Sequence, residues 1–199
     1  CVIPVSGGKD SMYQALKMRE FGLKPLCVTS TTCDLSPLGR KNIEVLKSLG
    51  FDYIEFTTDR KIRKKLNRIG LEMIGDISWP EHISINTIPI SIAVKFNIKL
   101  IIWGENSQNE YGGPDTAAKA SELTWEWLLQ FAGFVGLRVS DIIGLDGIVE
   151  KDLLAYQYPS KNDFQKAKIK SLFLGYFFPW NGYENYEFVK KFGFNSYDK

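Results

Sequence analysis

Six consecutive residues, Ser6, Gly7, Gly8, Lys9, Asp10 and Ser11, carry the densest chemistry in this 199-residue chain. Two glycines can take positive φ and place no Cβ between backbone and ligand, so successive N–H groups can converge on an anion. A helix opening straight after them would add its unpaired first amides and the positive end of its dipole. Ser6 and Ser11 offer hydroxyl donors, and Lys9 a point charge. Asp10 would repel a bare phosphate, so it reads as a hold on a magnesium ion that the phosphate also binds. An ordinary strand-to-helix turn with a serine cap is the plainer reading of the same residues. The spacing of the Walker phosphate loop, G-x-x-x-x-G-K-[ST], is absent.

Such a cradle has to lie between a strand and a helix, and the chain supplies both. Residues 1–5 are an apolar run that reads as a buried strand, and residues 11–21 place Met12, Ala15 and Leu16 on one helical face before Gly22. Further strands are expected at residues 26–29, 53–56, 100–103 and 172–178. Between them a second helix carries Ile43, Leu46 and Leu49 and ends at Gly50, and a third covers residues 61–74, with Ile62, Leu66, Ile69 and Met73 on one face. A long apolar helix is expected from Trp79 to Phe96, kinked or restarted at Pro89, and a last helix over residues 183–192. The alternation predicts an α/β fold: an open, mostly parallel five-stranded sheet of order 3-2-1-4-5, with helices on both faces. Residues 1–199 are expected to form a single domain, with a helical insertion at 114–170 whose Trp125, Leu128, Leu129 and Ala132 share one face. That insertion would cover the active face or dock on a partner.

Ligands of open α/β sheets sit beyond the carboxyl ends of the strands, at the switch in strand order. Here the switch falls between strands 1 and 4. The polar stretch at residues 30–39 leaves strand 2 on that side, and a loop at residues 104–113, dense in carboxylates, amides and glycines, leaves strand 4. Thr29, Ser30, Gly104, Glu105 and Asn106 therefore join the candidate site.

Composition excludes little. The chain is 44% hydrophobic and 24% charged with a net charge of +2, so nothing global points to nucleic acid or an anionic membrane. No run of 18 apolar residues and no basic, apolar leader is present, so no membrane insertion is expected. Cys1, Cys27 and Cys33 lack paired metal spacing and read as reduced thiols of a cytoplasmic protein. The one histidine, His82, reads as structural. Arg60, Lys61, Arg63, Lys64, Lys65 and Arg68 form the chain's charge run; a solvated helix face is the expectation, since no aromatic residues interleave for base stacking. The chain opens inside its first strand and closes on a polar tail, and is expected to be a fragment of a longer protein.

The Ser6-Gly7-Gly8-Lys9-Asp10-Ser11 string resembles the PP-loop of ATP pyrophosphatases, which implies the adenine nucleotide alpha hydrolase-like fold and cleavage of ATP to AMP and pyrophosphate. Later segments narrow the resemblance. The opening strand with its loop, Leu23-Lys24-Pro25-Leu26-Cys27-Val28-Thr29, Ala93-Val94-Lys95-Phe96, Ile102-Trp103-Gly104-Glu105-Asn106 with Glu110-Tyr111-Gly112-Gly113, and Gly175-Tyr176-Phe177-Phe178-Pro179-Trp180 with Tyr183 are similar to the N-acetyl sugar amidotransferases of bacterial surface-glycan biosynthesis. That family acts in lipopolysaccharide and flagellin glycan assembly. Membership would imply ATP and Mg2+ as cofactors and an acetamido sugar as substrate. ATP would activate the acetamido oxygen as an adenylate, and ammonia from a separate glutaminase subunit would displace AMP to leave an acetamidino group. Lys9, Asp10, Glu105 and Asn106 would be catalytic, with Asp10 on the metal. Ser6, Gly7, Gly8, Lys9, Asp10, Ser11, Thr29, Ser30 and Gly104 would hold the nucleotide. Glu105 and Asn106 would meet the sugar, the magnesium or the ammonia, three roles that stay open. Trp125, Trp127 and Phe131 are the candidate contact for the glutaminase, and a homo-oligomer is compatible with the sequence. Relatives in that family also carry a cysteine-rich segment before the first strand and a further segment after the last helix, neither contained in these residues. Two rivals are a tRNA-modifying PP-loop enzyme of the thiolation or lysidine type and a nucleotide-binding regulatory module without turnover.

Overall fold

The apolar opening run forms β1 (Val2–Pro4) at the centre of the sheet, where Val2 and Ile3 have no exposure and alternate between its two faces. The computed structural model of the chain describes residues 1–31, 35–104, 121–127 and 136–197. β2 (Leu26–Thr31) and β3 (Asp52–Thr57) extend the sheet on one side of β1, and β4 (Leu100–Trp103) and β5 (Lys170–Phe173) on the other. Every pairing between these five strands is parallel, and the order β3-β2-β1-β4-β5 is the one the alternation predicts. Parallel neighbours require crossover connections. Helices α1 (Lys9–Glu20), α2 (Pro37–Ser48), α3 (Arg60–Ile74) and α4 (Trp79–Lys95) lie in the connections that lead from β1 to β4. After them come α5 (Lys161–Ala167), the short α6 (Leu174–Phe177) and α7 (Gly182–Lys190).

The two sheet faces have separate cores. On one, Ile3, Cys27 and Ile102 pack with Met12 and Leu16 of α1, Leu46 of α2 and Val189 of α7. On the other, Val2, Val28 and Ile101 pack with Ile88, Ile90 and Ala93 of α4. A central parallel strand covered on both sides reads as a continuous apolar run, as this one does. A third cluster joins Leu66 and Ile69 of α3 and Trp79 and Ile83 of α4 to Ile142, Ile148 and Leu153. Within the expected insertion, the described residues 139–153 form three short 3₁₀ turns, and this cluster seats them on the α3–α4 pair. Leu128, Leu129 and Ala132 lie outside the described residues.

Several boundaries differ from expectation. The fifth strand is Lys170–Phe173 rather than residues 172–178, because Gly175 N–H donates to the Gly104 carbonyl (3.0 Å) and the chain turns into α6. The aromatics Tyr176 and Phe177, read as strand, are more than half exposed there. β2 runs on to Thr31, so Ser30 is still in the sheet. α1 begins two residues early, at Lys9. α4 is one continuous element through Pro89. Met73 lies outside the buried stripe of α3, about half exposed in the last turn beyond the contact with Trp79. No helix among the described residues is long and apolar enough to cross a membrane.

Candidate functional site

Between β1 and α1 the backbone turns at Gly7, whose φ is +80°. A Cβ there would stand 2.6 Å from the carbonyl oxygen of Gly39 in the first turn of α2, so glycine is demanded by conformation and by space. Ser36 caps α2 by accepting from Gly39 N–H (3.0 Å), which fixes that neighbour. Asn42, on the next turn of α2, donates to the Gly7 carbonyl (3.1 Å) and to the Asn195 carbonyl (3.0 Å), and accepts from Asn195 N–H (2.8 Å). The loop is thus held by α2 and by the segment after α7.

α1 starts at Lys9 with Gly8 as its cap, and no side chain caps it. Met12 N–H is the first to find a helical partner, the Gly8 carbonyl (3.2 Å), so the amides of Lys9, Asp10 and Ser11 precede the ladder. Ser11 Oγ donates to the Gly8 carbonyl (3.0 Å) and accepts from Ser6 N–H (3.3 Å), shaping the turn. Lys9 Nζ donates to Asp10 Oδ2 (2.6 Å), and Asn185 Nδ2 of α7 donates to Asp10 Oδ1 (3.0 Å). A carboxylate has about four acceptor positions, so Asp10 keeps capacity for a further ligand.

At the carboxyl ends of β1, β2, β4 and β5 lies a cavity of about 410 Å3. That is within the roughly 300–1,000 Å3 of small-molecule sites. Ser6, Asp10 and Ser11 border it from the loop, Thr29 and Ser30 from β2, and Gly104 from β4. Lys9, Gly7 and Gly8 do not line it; the Lys9 ammonium rests beside Gly182, where an added Cβ would be 3.5 Å from Nζ. Glu105 and Asn106, with Thr32, Cys33 and Phe131, lie outside the described residues. The cavity therefore stands at the predicted switch point, with six of the expected residues on its wall.

The β2 wall is held by its own bonds. Thr29 Oγ1 donates to the Val5 carbonyl (2.6 Å) and also hydrogen-bonds Tyr53 OH, so its hydroxyl is already engaged. Burial pushes the Tyr53 hydroxyl up to about 12, and it stays a neutral partner. Beside it Arg40 forks onto Glu55 (2.6 and 2.8 Å), and Thr31 donates to the same carboxylate (2.9 Å). The hydrogen bonds from Arg40, ahead of the Thr31 bond, hold the Glu55 carboxyl below its ordinary range. Burial likewise raises the Cys27 thiol to about 12.

Sequence reasoning missed Asn42, described above, and three residues around the cavity. Asn185 positions Asp10 from 175 residues away. Gln14, one turn beyond Asp10 on the same side of α1, lines the cavity, as does Trp180. The buried Gln14 Oε1, Trp180 Nε1 and Ser30 Oγ have no hydrogen-bond partner. Buried polar atoms are paired in most proteins, so unpaired ones around a cavity point to a ligand that completes them. His82 stands outside the cavity, with Nδ1 3.2 Å from Asp76 Oδ2.

An adenine nucleotide with magnesium fits this donor set. The uncapped amides and serine hydroxyls suit phosphate, and one carboxylate is enough for a magnesium ion that phosphates also ligate. Among the described residues no group of three or more metal-binding side chains occurs.

No protein-family model matches the chain, and no curated protein does. Among solved structures, a similar chain is that of a predicted subunit of tRNA methyltransferase from Methanocaldococcus jannaschii, with 15% identity, a TM-score of 0.46, and coverage of 96% of this chain and 75% of that one. The likeness is too loose to carry that protein's activity over.

Proposed function

We propose that the chain is an ATP-binding PP-loop domain that splits ATP to AMP and pyrophosphate in order to adenylate an acceptor. The observation that carries this reading is the cavity at the switch point, bordered by an uncapped helix start and by unpaired polar atoms. The β- and γ-phosphates would lie at residues 6–11, where backbone amides and Ser11 stabilise charge as pyrophosphate leaves. Lys9 would act after releasing Asp10, and Asp10 would hold the magnesium, which supplies charge neutralisation to the phosphates. Asn185 fixes the Asp10 carboxylate for that role. The adenosine would run along the carboxyl end of β2, meeting the main chain at Thr29 and Ser30.

For the acceptor, the resemblance in the loop and tail segments favours an acetamido sugar, converted to an amidine with ammonia from a separate glutaminase subunit. An amide oxygen leaves poorly, and adenylation is what makes it displaceable. The tRNA-modifying alternative would use the basic face of α3. There Arg63 faces Glu81 (3.8 Å), Arg68 pairs with Asp146 (2.9 Å), and Lys65 donates to the Asp146 carbonyl (2.6 Å), so much of the charge is already matched.

The test is pyrophosphate release from ATP with an acetamido sugar and ammonium, beside bulk tRNA, in the wild type, Lys9→Ala and Asp10→Ala. Each substitution should leave the fold intact and slow release about a hundredfold, the usual loss when a charge-stabilising group is removed. Full turnover by either variant refutes the assignment. Release stimulated by tRNA and not by the sugar transfers the reading to the alternative.

A further inference from the structure

Gln14 belongs to the wall of the same cavity that faces β4. Its carboxamide lies against the Gly104 backbone so closely that any Cβ at 104 would overlap its amide nitrogen. The same Cβ would be 3.3 Å from Trp180 Cη2, so the amide and the indole meet over Gly104. Trp180 is fixed edge-on against Tyr13 (5.6 Å between ring centres). Gln14 is only 6% exposed, yet its Oε1 has no partner, and neither has the Trp180 indole N–H. The neighbouring Trp103 indole is satisfied by Ser171 Oγ (2.6 Å). Among the described lining residues Asp10 is the one charged side chain, and it belongs to the loop end.

We infer that the wall formed by Gln14, Gly104 and Trp180 is the acceptor subsite, built for an uncharged group that carries both a donor and an acceptor. This rests on the reading above for where the nucleotide lies. The unpaired Oε1 needs a donor and the unpaired indole N–H needs an acceptor, which a secondary amide supplies through its N–H and C=O. A carboxylate would be desolvated here without a counter-charge, with the Asp10 carboxylate one turn away on the same wall, which disfavours an anion at this position. Apolar Trp103 and Phe173 also line the cavity and suit the carbon framework of a small ring. Gln14 is a specificity residue in this scheme: it selects the amide, while the loop at residues 6–11 holds the anion.

N-acetylglucosamine serves as the amide-bearing probe, with glucose lacking the amide and glucosamine bearing a charge. Its binding is titrated by tryptophan fluorescence and calorimetry to the wild type, Gln14→Leu and Trp180→Phe. A non-hydrolysable ATP analogue is titrated separately. The amide probe should bind at least tenfold tighter than glucose or glucosamine, and each substitution should remove about that factor, the scale of one hydrogen bond to a buried group. Affinity for the ATP analogue should change less than twofold. Gln14→Leu should melt no lower than the wild type, since it deletes an unsatisfied polar group; a merely structural glutamine would lower it. Equal binding of the three sugars, or unchanged affinity in both variants, overturns the subsite. So does a parallel loss of the ATP analogue, which would assign Gln14 to the nucleotide. Probe binding that depends on Gln14 in a wild type unable to bind the analogue would support the subsite while refuting the ATP reading.

Discussion

Gly7→Ala should damage the phosphate loop in a way that Gly22→Ala cannot. The two glycines have nearly the same backbone, with φ of +80° and +78°. Either alanine pays the left-handed penalty, roughly 1–2 kcal/mol. At Gly22 an added Cβ meets nothing within 4 Å, so the penalty ends there. At Gly7 it meets the Gly39 carbonyl at 2.6 Å, a backbone atom that cannot swing aside. Relief requires the loop or the first turn of α2 to move, which stretches the Asn42–Gly7 hydrogen bond (3.1 Å). Overpacking of this kind adds about 1–3 kcal/mol. The sum is about 3 kcal/mol for Gly7→Ala, or roughly 6–12 °C in Tm for a chain of this size, against about 2–8 °C for Gly22→Ala. Thermal unfolding by circular dichroism measures both, and calorimetry with the ATP analogue measures the site. Gly7→Ala should bind the analogue at least tenfold more weakly, while Gly22→Ala binds as the wild type does. Equal melting temperatures for the two variants, or undiminished analogue binding by Gly7→Ala, would refute the argument that the loop is shaped against α2.

Glu55→Gln should cost at most about 1 kcal/mol at pH 7, since Arg40 is partly exposed and the pair is screened. The folded-state carboxyl is lowered, so its stabilisation is complete above the ordinary value near 4.5 and lost as pH falls through the lower folded value; melting curves of the two proteins should converge there. Cys27 should resist iodoacetamide at pH 8 in the native protein, its thiol being buried and raised to about 12, and react on unfolding; mass mapping of labelled peptides decides it. Reversing Lys61, Lys64 and Lys65 to glutamate should leave sugar-dependent pyrophosphate release near wild type. A submicromolar, salt-sensitive affinity of the wild type for tRNA would contradict that. Purified protein given glutamine as sole nitrogen source should form no glutamate.

The sheet order was legible because strand and helix alternate, and parallel neighbours with right-handed crossovers leave few arrangements. The loop was legible because two glycines between an apolar strand and an amphipathic helix have few other uses. The end of β5 was not, since Leu172 to Phe178 is equally apolar on either side of the turn that Gly104 imposes. Nor were Asn42 and Asn185, whose work is done by hydrogen bonds to residues 35 and 175 positions away, with no periodicity to announce them. Gln14 did leave a trace: a polar residue beside Ala15 and Leu16, one turn after Asp10, where an apolar side chain would have packed. Its unpaired state arises only in the folded packing.

Asn42 and Asn185 also set an order of events. The loop is made by residues 6–11, but its fixing partners include Asn195, reached from Asn42 across 153 positions, and Asn185. Contacts of such separation close late, because the entropy of joining distant segments has to be met before they yield anything. The anion cradle is therefore among the last parts of the molecule to set, after the sheet that carries it. During synthesis, a nascent chain that has emerged only as far as β5 has its strands but not the two asparagine contacts that steady the loop and its aspartate. Competence to hold a triphosphate would then report arrival of residues 182–195, and a chain cut short of α7 should be sheet-containing and weak for the nucleotide.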